Sequence, residues 1–289
     1  MKAHEYILSK QTQWALNHGI KLIGSKEKRG RPAYTCELEQ NLFEPMDPYV
    51  RQRFKQGDGN EIPEDSADNP AKMQAIHSSS ALSVNVFYYW QEINQVPAIA
   101  TACGFCQKGS AISQKIVFED KYPIDNKFRF PPNIDVVFWN SESSQHKRYA
   151  VECKFTETYG SRRHSGLKAE YIGLSNVWQD IPALHEFAKS ICPEDTTHHH
   201  LHVAQLIKHI LGLKTGFGKV GFKLMYLWYD VLGEEGAVHR DEIERFSEIV
   251  QADGLSFHSL SYQELIIRLS TEFRKGHERY ITYLTERYL

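Results

Sequence analysis

At 289 residues with 41% hydrophobic content the chain can bury a sizeable core, and it has no apolar run long enough for a transmembrane helix. A net charge of −2 and a pI near 6.7 exclude a protein that coats nucleic acid through bulk charge, but not an enzyme that grips it with local basic patches. Five cysteines at irregular spacing predict reduced thiols, and residues 1–19 lack the apolar stretch of a signal peptide, so a cytoplasmic protein is expected.

In chain order, residues 1–75 read as an irregular, polar N-terminal extension. Its segment 24–32 is basic, with Lys26, Lys28, Arg29 and Arg31, and 56–70 is rich in Gly, Asp, Asn and Pro. The main domain is expected over 76–289. Ser78, Ser79 and Ser80 precede an apolar stretch that reaches Trp90, which predicts an N-capped helix ending near Asn94. Three strand-like runs follow at 115–122, 133–139 and 148–156, with a polar turn over 141–147 between the last two. Residues 160–193 mix loop and helix. A helix is predicted over 198–213, an apolar and aromatic strand over 220–231, a helix over 241–252, a short strand over 255–260, and mostly helix to the end. The economical architecture is an α/β fold, a mixed sheet flanked by helices.

Two of the strands contain charges where apolar residues are expected. Asp135 sits in Ile134-Asp135-Val136-Val137-Phe138, and Glu152 and Lys154 sit in Val151-Glu152-Cys153-Lys154-Phe155. A buried ionised carboxylate is costly unless it is paired or bound to a cation. The two-residue period puts Glu152 and Lys154 on one face, roughly 7 Å apart, with Tyr149, Val151, Cys153 and Phe155 on the other. If the two strands form a hairpin, Asp135 lies across from Glu152. Two carboxylates and an ammonium then converge, a set suited to phosphodiester hydrolysis. Hard oxygen ligands hold Mg²⁺ or Mn²⁺, and the lysine serves the attacking water or the transition-state charge.

Pro132-Asn133-Ile134-Asp135 followed by Glu152-Cys153-Lys154 resembles the PD-(D/E)XK nuclease motif. The predicted element order is similar to the αβββαβ core of that superfamily, here with an N-terminal extension and C-terminal helices. Residues 78–87, 152–157 and 205–209 resemble stretches of its restriction-endonuclease-like bacterial families, and the likeness spans roughly residues 57–270. Pro132 stands two residues further from Asp135 than in the simplest form of the motif. The resemblance implies that Asp135 and Glu152 bind the metal, that Lys154 assists catalysis, and that the substrate is nucleic acid, most simply DNA. Cutting both strands at one site would favour a homodimer.

Several residues are candidates for supporting roles. Glu119, in the first strand, is a possible third carboxylate, and Glu157 falls just past the third strand. Gln205 and Lys208 share a helical face with Leu201 and Gly212, aimed at the active site or at a phosphate. Arg162, Arg163 and Lys168 follow the catalytic strand as a basic loop suited to the nucleic-acid backbone. Ser79 reads as a cap and Asn85 as a satisfied core amide. Gly216 to Gly221 matches GxGxxG but follows a helix and enters a strand, the reverse of a dinucleotide site, so a glycine C-cap is expected. Cys103 and Cys106 lack a second ligand pair, and His198 to His202 lack the glutamate of a zincin. The rival readings are a catalytically silent nucleic-acid-binding relative and an unrelated α/β interaction protein held by a structural ion-pair cluster.

Overall fold

A computed structural model describes residues 1–23, 32–57, 59, 61–63, 70–160 and 164–289. Five strands form one sheet in sequential order: β1 (Ser113–Lys121), β2 (Asn133–Asn140), β3 (Arg148–Lys154), β4 (Phe222–Trp228) and β5 (Phe257–Ser261). β1, β2 and β3 pair antiparallel, whereas β4 and β5 continue parallel to β3. The β3-to-β4 connection must therefore cross back along the sheet, and it does so through helices.

Both faces of the sheet are covered. One apolar cluster takes Tyr149, Val151 and Cys153 of β3 and packs them under α1 (Ala3–Asn17), α3 (Ser79–Glu92), α4 (Val96–Ala102), α9 (Tyr262–Glu272) and α10 (Glu278–Tyr288). The other cluster takes Ala150 and packs it under α6 (Pro182–Ser190), α7 (Val203–Phe217) and α8 (Glu234–Ala252), with the single turn α5 (Ala169–Ile172) beside them. Burial on both faces is why the strands read as almost unbroken apolar runs, in which a charge stands out. The architecture is a restriction-endonuclease-like α/β fold. Among the described residues no helix is long and apolar enough to cross a membrane, and all five cysteines are free thiols.

Residues 3–17 and 48–56 are helical, unlike the irregular polar stretch expected there. α1 buries Ile7, Gln11, Trp14 and Ala15, and α2 (Pro48–Gln56) buries Val50 and Phe54. The stripe on α1 is hard to see in sequence because Gln11 sits inside it. Gln11 donates to the Arg287 carbonyl at 2.9 Å and accepts from Arg287 Nε at 3.0 Å, so a polar residue is satisfied by a partner at the far end of the chain. α2 is started by Asp47, which accepts from the Val50 amide at 2.8 Å, followed by Pro48.

The helix expected from residue 198 begins instead at Val203. Glu242 of α8 accepts the backbone amides of His199, His200 and Leu201 at 2.6, 2.9 and 2.8 Å, which holds that segment extended. Leu201 consequently lies outside the helical face assigned to it. α7 then runs close over the end of β1. A Cβ on Gly212 would stand 2.4 Å from the Tyr122 carbonyl oxygen, so only glycine permits the approach. Gly218, at φ 72°, ends α7 as the expected glycine cap.

Candidate active site

The strand directions bring the C-terminal ends of β1 and β3 together with the N-terminal end of β2. The register that pairs Val136 with Val151 sets Asp135 opposite Glu152 when continued by one residue. At that point the ladder changes character. The Cys153 amide donates to Asp135 Oδ2 at 2.7 Å, so a side chain takes a backbone partner.

Glu152 is fully buried, with 0% exposure, and both its oxygens are held. Lys154 Nζ donates to Oε1 at 2.5 Å, and His209 Nε2 donates to Oε2 at 2.7 Å. The ionised carboxylate can only accept, so the His209 ring carries its proton on Nε2. His209 Nδ1 is buried without a hydrogen-bond partner. Asp135, by contrast, opens to a cleft of about 490 Å³ that is also lined by Glu119, Lys154, Glu157, Gln205 and Glu61.

Glu119 reaches this cleft through an unusual backbone. Its φ is +52°, rare for a residue with a Cβ. Arg53 of α2 holds the kink, donating to the Phe118 and Glu119 carbonyls at 2.9 and 2.7 Å and to Asp120 at 3.0 Å. Asn133 then donates to Glu119 Oε2.

The charges are unevenly matched. Burial would raise the Glu152 pKa, but the Lys154 and His209 contacts outweigh it and hold the carboxyl at about 2. Burial works against the Lys154 charge, yet Glu152, Asp135 and Glu157 keep its pKa above the ordinary lysine value. Burial and the Glu152 charge push Asp135 well above the usual carboxylate range. Burial likewise lifts Glu119 to about 7, and Glu61 is raised for the same reason. Among the described residues the cleft therefore carries more carboxylates than its two ammonium groups, Lys154 and Lys72, neutralise.

The strand ends bring together Asp135, Glu152, Lys154 and Glu119, and α7 adds Gln205. Lys168 and Lys208 line a neighbouring groove instead of the cleft. Arg162 and Arg163 lie outside the described residues. Asn85 is the satisfied core amide expected, accepting from Phe43 at 2.7 Å and donating to Asn41 and Tyr288 at 3.0 and 2.9 Å. The cap of α3 is Ser78, not Ser79, which lines the cleft.

Residue-by-residue reading missed His209, Glu61 and Arg53. His209 had a visible signal, an imidazole directly before the apolar run Ile210-Leu211 and within the stretch 205–209. Arg53 had none, because its partners are backbone carbonyls.

The profile of the family described as Restriction Endonuclease associating with ARP matches residues 8–289. The chain belongs to this family. Comparison with curated proteins and with solved structures finds no match. Membership supports a nuclease-like role and interaction with nucleic acid for this restriction-endonuclease family member. Among its described residues no group of three or more His, Cys, Asp and Glu side chains stands at metal-holding distances. With Lys154 and His209 on Glu152, donors of the protein's own face both of its oxygens.

Proposed function

We propose that this restriction-endonuclease family member is a Mg²⁺- or Mn²⁺-dependent nuclease of the PD-(D/E)XK superfamily that hydrolyses phosphodiester bonds in DNA, in restriction, defence or repair. The observation that carries the reading is the convergence of Asp135, Glu119 and the Glu152–Lys154 pair at one end of the sheet, on a cleft short of positive charge. A divalent cation fits that shortage and the hard oxygen donors. Asp135 and Glu152 would hold it, with Glu119 as a further oxygen donor. Bound there, it would sharpen a water into a nucleophile and offset the charge of the transition state.

The chain's own residues supply the rest. Lys154 would orient the water or neutralise developing charge on the phosphate oxygens. Gln205 positions the substrate from α7. Lys168 and Lys208 grip the phosphates on one side, with Arg162 and Arg163 assigned to the same task from sequence. A homodimer would present two such centres to opposite strands. The family description supports a partner of the ARP kind for this chain too.

A second reading rests on the completeness of the Glu152–Lys154–His209 contacts. Both oxygens of the buried Glu152 are thereby satisfied within the protein, an arrangement that would serve a catalytically silent nucleic-acid-binding protein equally well. Calorimetry with Mn²⁺ and a cleavage panel of duplex DNA, single-stranded DNA and RNA, run with Mg²⁺, Mn²⁺ and EDTA, separates the two. The nuclease reading expects metal binding that Asp135→Ala weakens, together with metal-dependent cleavage. Equal Mn²⁺ affinity in both proteins and no cut substrate would leave the silent reading standing.

A further inference from the structure

Beside the cleft, at the same end of the sheet, lies a groove of about 950 Å³ between the β1–β2 connection and the segments that lead into α5 and α7. α7 serves both concavities: Gln205 lines the cleft, and Lys208, about one turn further along, lines the groove. Lys127, Arg129 and Lys168 add three exposed cations to its walls. Among the described residues none of these four cations has an ion-pair partner. Glu170 and Glu194 dilute the charge, while Asp195 is turned onto Thr197 and His198.

The groove also carries aromatic surface that no packing explains. Phe130 is 62% exposed, with the Arg129 guanidinium 5.0 Å from its ring centroid. It projects from a connection anchored by Phe128, which stacks on Tyr171 at 4.1 Å and 10°. A groove that only gripped a duplex through its phosphates would need cations and no open phenyl face. Base stacking needs an unpaired base, because the faces of bases within a duplex are already covered.

We propose that this groove binds an unpaired polynucleotide strand next to the cleft, with phosphates on Lys127, Arg129, Lys168 and Lys208 and a base stacked on Phe130. The substrate would then be a nucleic acid with a single-stranded segment beside the cut, such as an overhang, flap or opened duplex. This rests on reading the cleft as the hydrolytic centre, but the binding itself needs neither metal nor cleavage.

The test is fluorescence anisotropy with the intact protein in EDTA, using labelled oligothymidylate, oligouridylate and a blunt DNA duplex. Phe130→Ala, at an exposed position and with an unchanged melting temperature, should weaken oligonucleotide binding by roughly tenfold while shifting duplex affinity by less than about twofold. Phe130→Trp should restore it. Loss on either oligonucleotide supports the groove and identifies the sugar it takes. Wild-type protein that binds neither oligonucleotide, or a Phe130→Ala variant that binds them like wild type or loses duplex equally, overturns the proposal. A protein that shows the expected binding but never cuts refutes the nuclease reading alone. One that cuts while Phe130→Ala binds normally refutes the groove alone.

Discussion

Asp135 is fixed by the backbone of the residue that separates Glu152 from Lys154: the Cys153 amide donates to its Oδ2 at 2.7 Å. The two strands thus set the position of the first carboxylate relative to the other two groups without any side chain intervening. Cys153 itself points to the opposite face and packs in the apolar cluster under α3 and α9. The spacing Glu-x-Lys therefore does two things at once, placing both charges on one face and a core anchor and amide between them.

His209 holds the second oxygen of a fully buried glutamate, so its removal should be felt in stability. His209→Ala leaves Glu152 with Lys154 as its one remaining partner and opens a void, at a cost of roughly 3–5 kcal/mol. His209→Gln, which retains a donor, should cost less. Urea unfolding of the three proteins checks this, and an Ala variant as stable as wild type would show that the contact does not support the fold.

Glu119 gives the metal-free protein a pH signature. Burial raises its pKa from 4.5 to about 7, so it is harder to ionise folded than unfolded. Its contribution to stability is full below the unfolded value of 4.5 and is lost as pH rises through about 7. Stability in EDTA should decline across that window by on the order of a few kcal/mol. Glu119→Gln should flatten the decline, with Asp135, raised in the same sense, keeping part of the slope. Glu152, whose pKa is lowered to about 2, contributes in the opposite sense, and its share is lost only as pH falls below this window. Melts across pH that run parallel in the two proteins would place the titration elsewhere.

Lys168 and Lys208 should act through phosphate contacts. Replacing both with Ala should reduce the slope of log affinity against log salt by about one per cation, along with affinity. Anisotropy titrations over a salt series report it directly. An unchanged slope would return both residues to the solvated surface.

The central sheet and the charged pattern of the candidate site were legible because the strands are apolar on both faces and Asp135, Glu152 and Lys154 interrupt them. What sequence could not display depends on distant partners. Gln11 looks like a surface residue until Arg287 meets it. The start of α7 is set by a Glu242 carboxylate from α8, so the helix expected from residue 198 begins later, at Val203. Glu119 is turned into the cleft by Arg53 bonding to carbonyl oxygens, an interaction without a side-chain pattern. Phe130 reads as one more aromatic residue in a loop, and its exposure is visible only in three dimensions.

If the end of this sheet hydrolyses phosphodiester bonds, Lys154 acts in the transition state. The most direct measurement is the Mg²⁺-dependent cleavage rate of wild type and Lys154→Met at saturating DNA, with melting temperature and DNA affinity taken on the same preparations. Methionine keeps most of the aliphatic stem, while Glu152 loses one of its two partners, so the melting temperature should fall with the protein still folded at the assay temperature. The expected result for Lys154→Met is a rate at least roughly a hundredfold lower at nearly unchanged DNA affinity. A folded Lys154→Met protein that cuts at the wild-type rate, or a wild-type protein that cuts nothing with either metal, would contradict it.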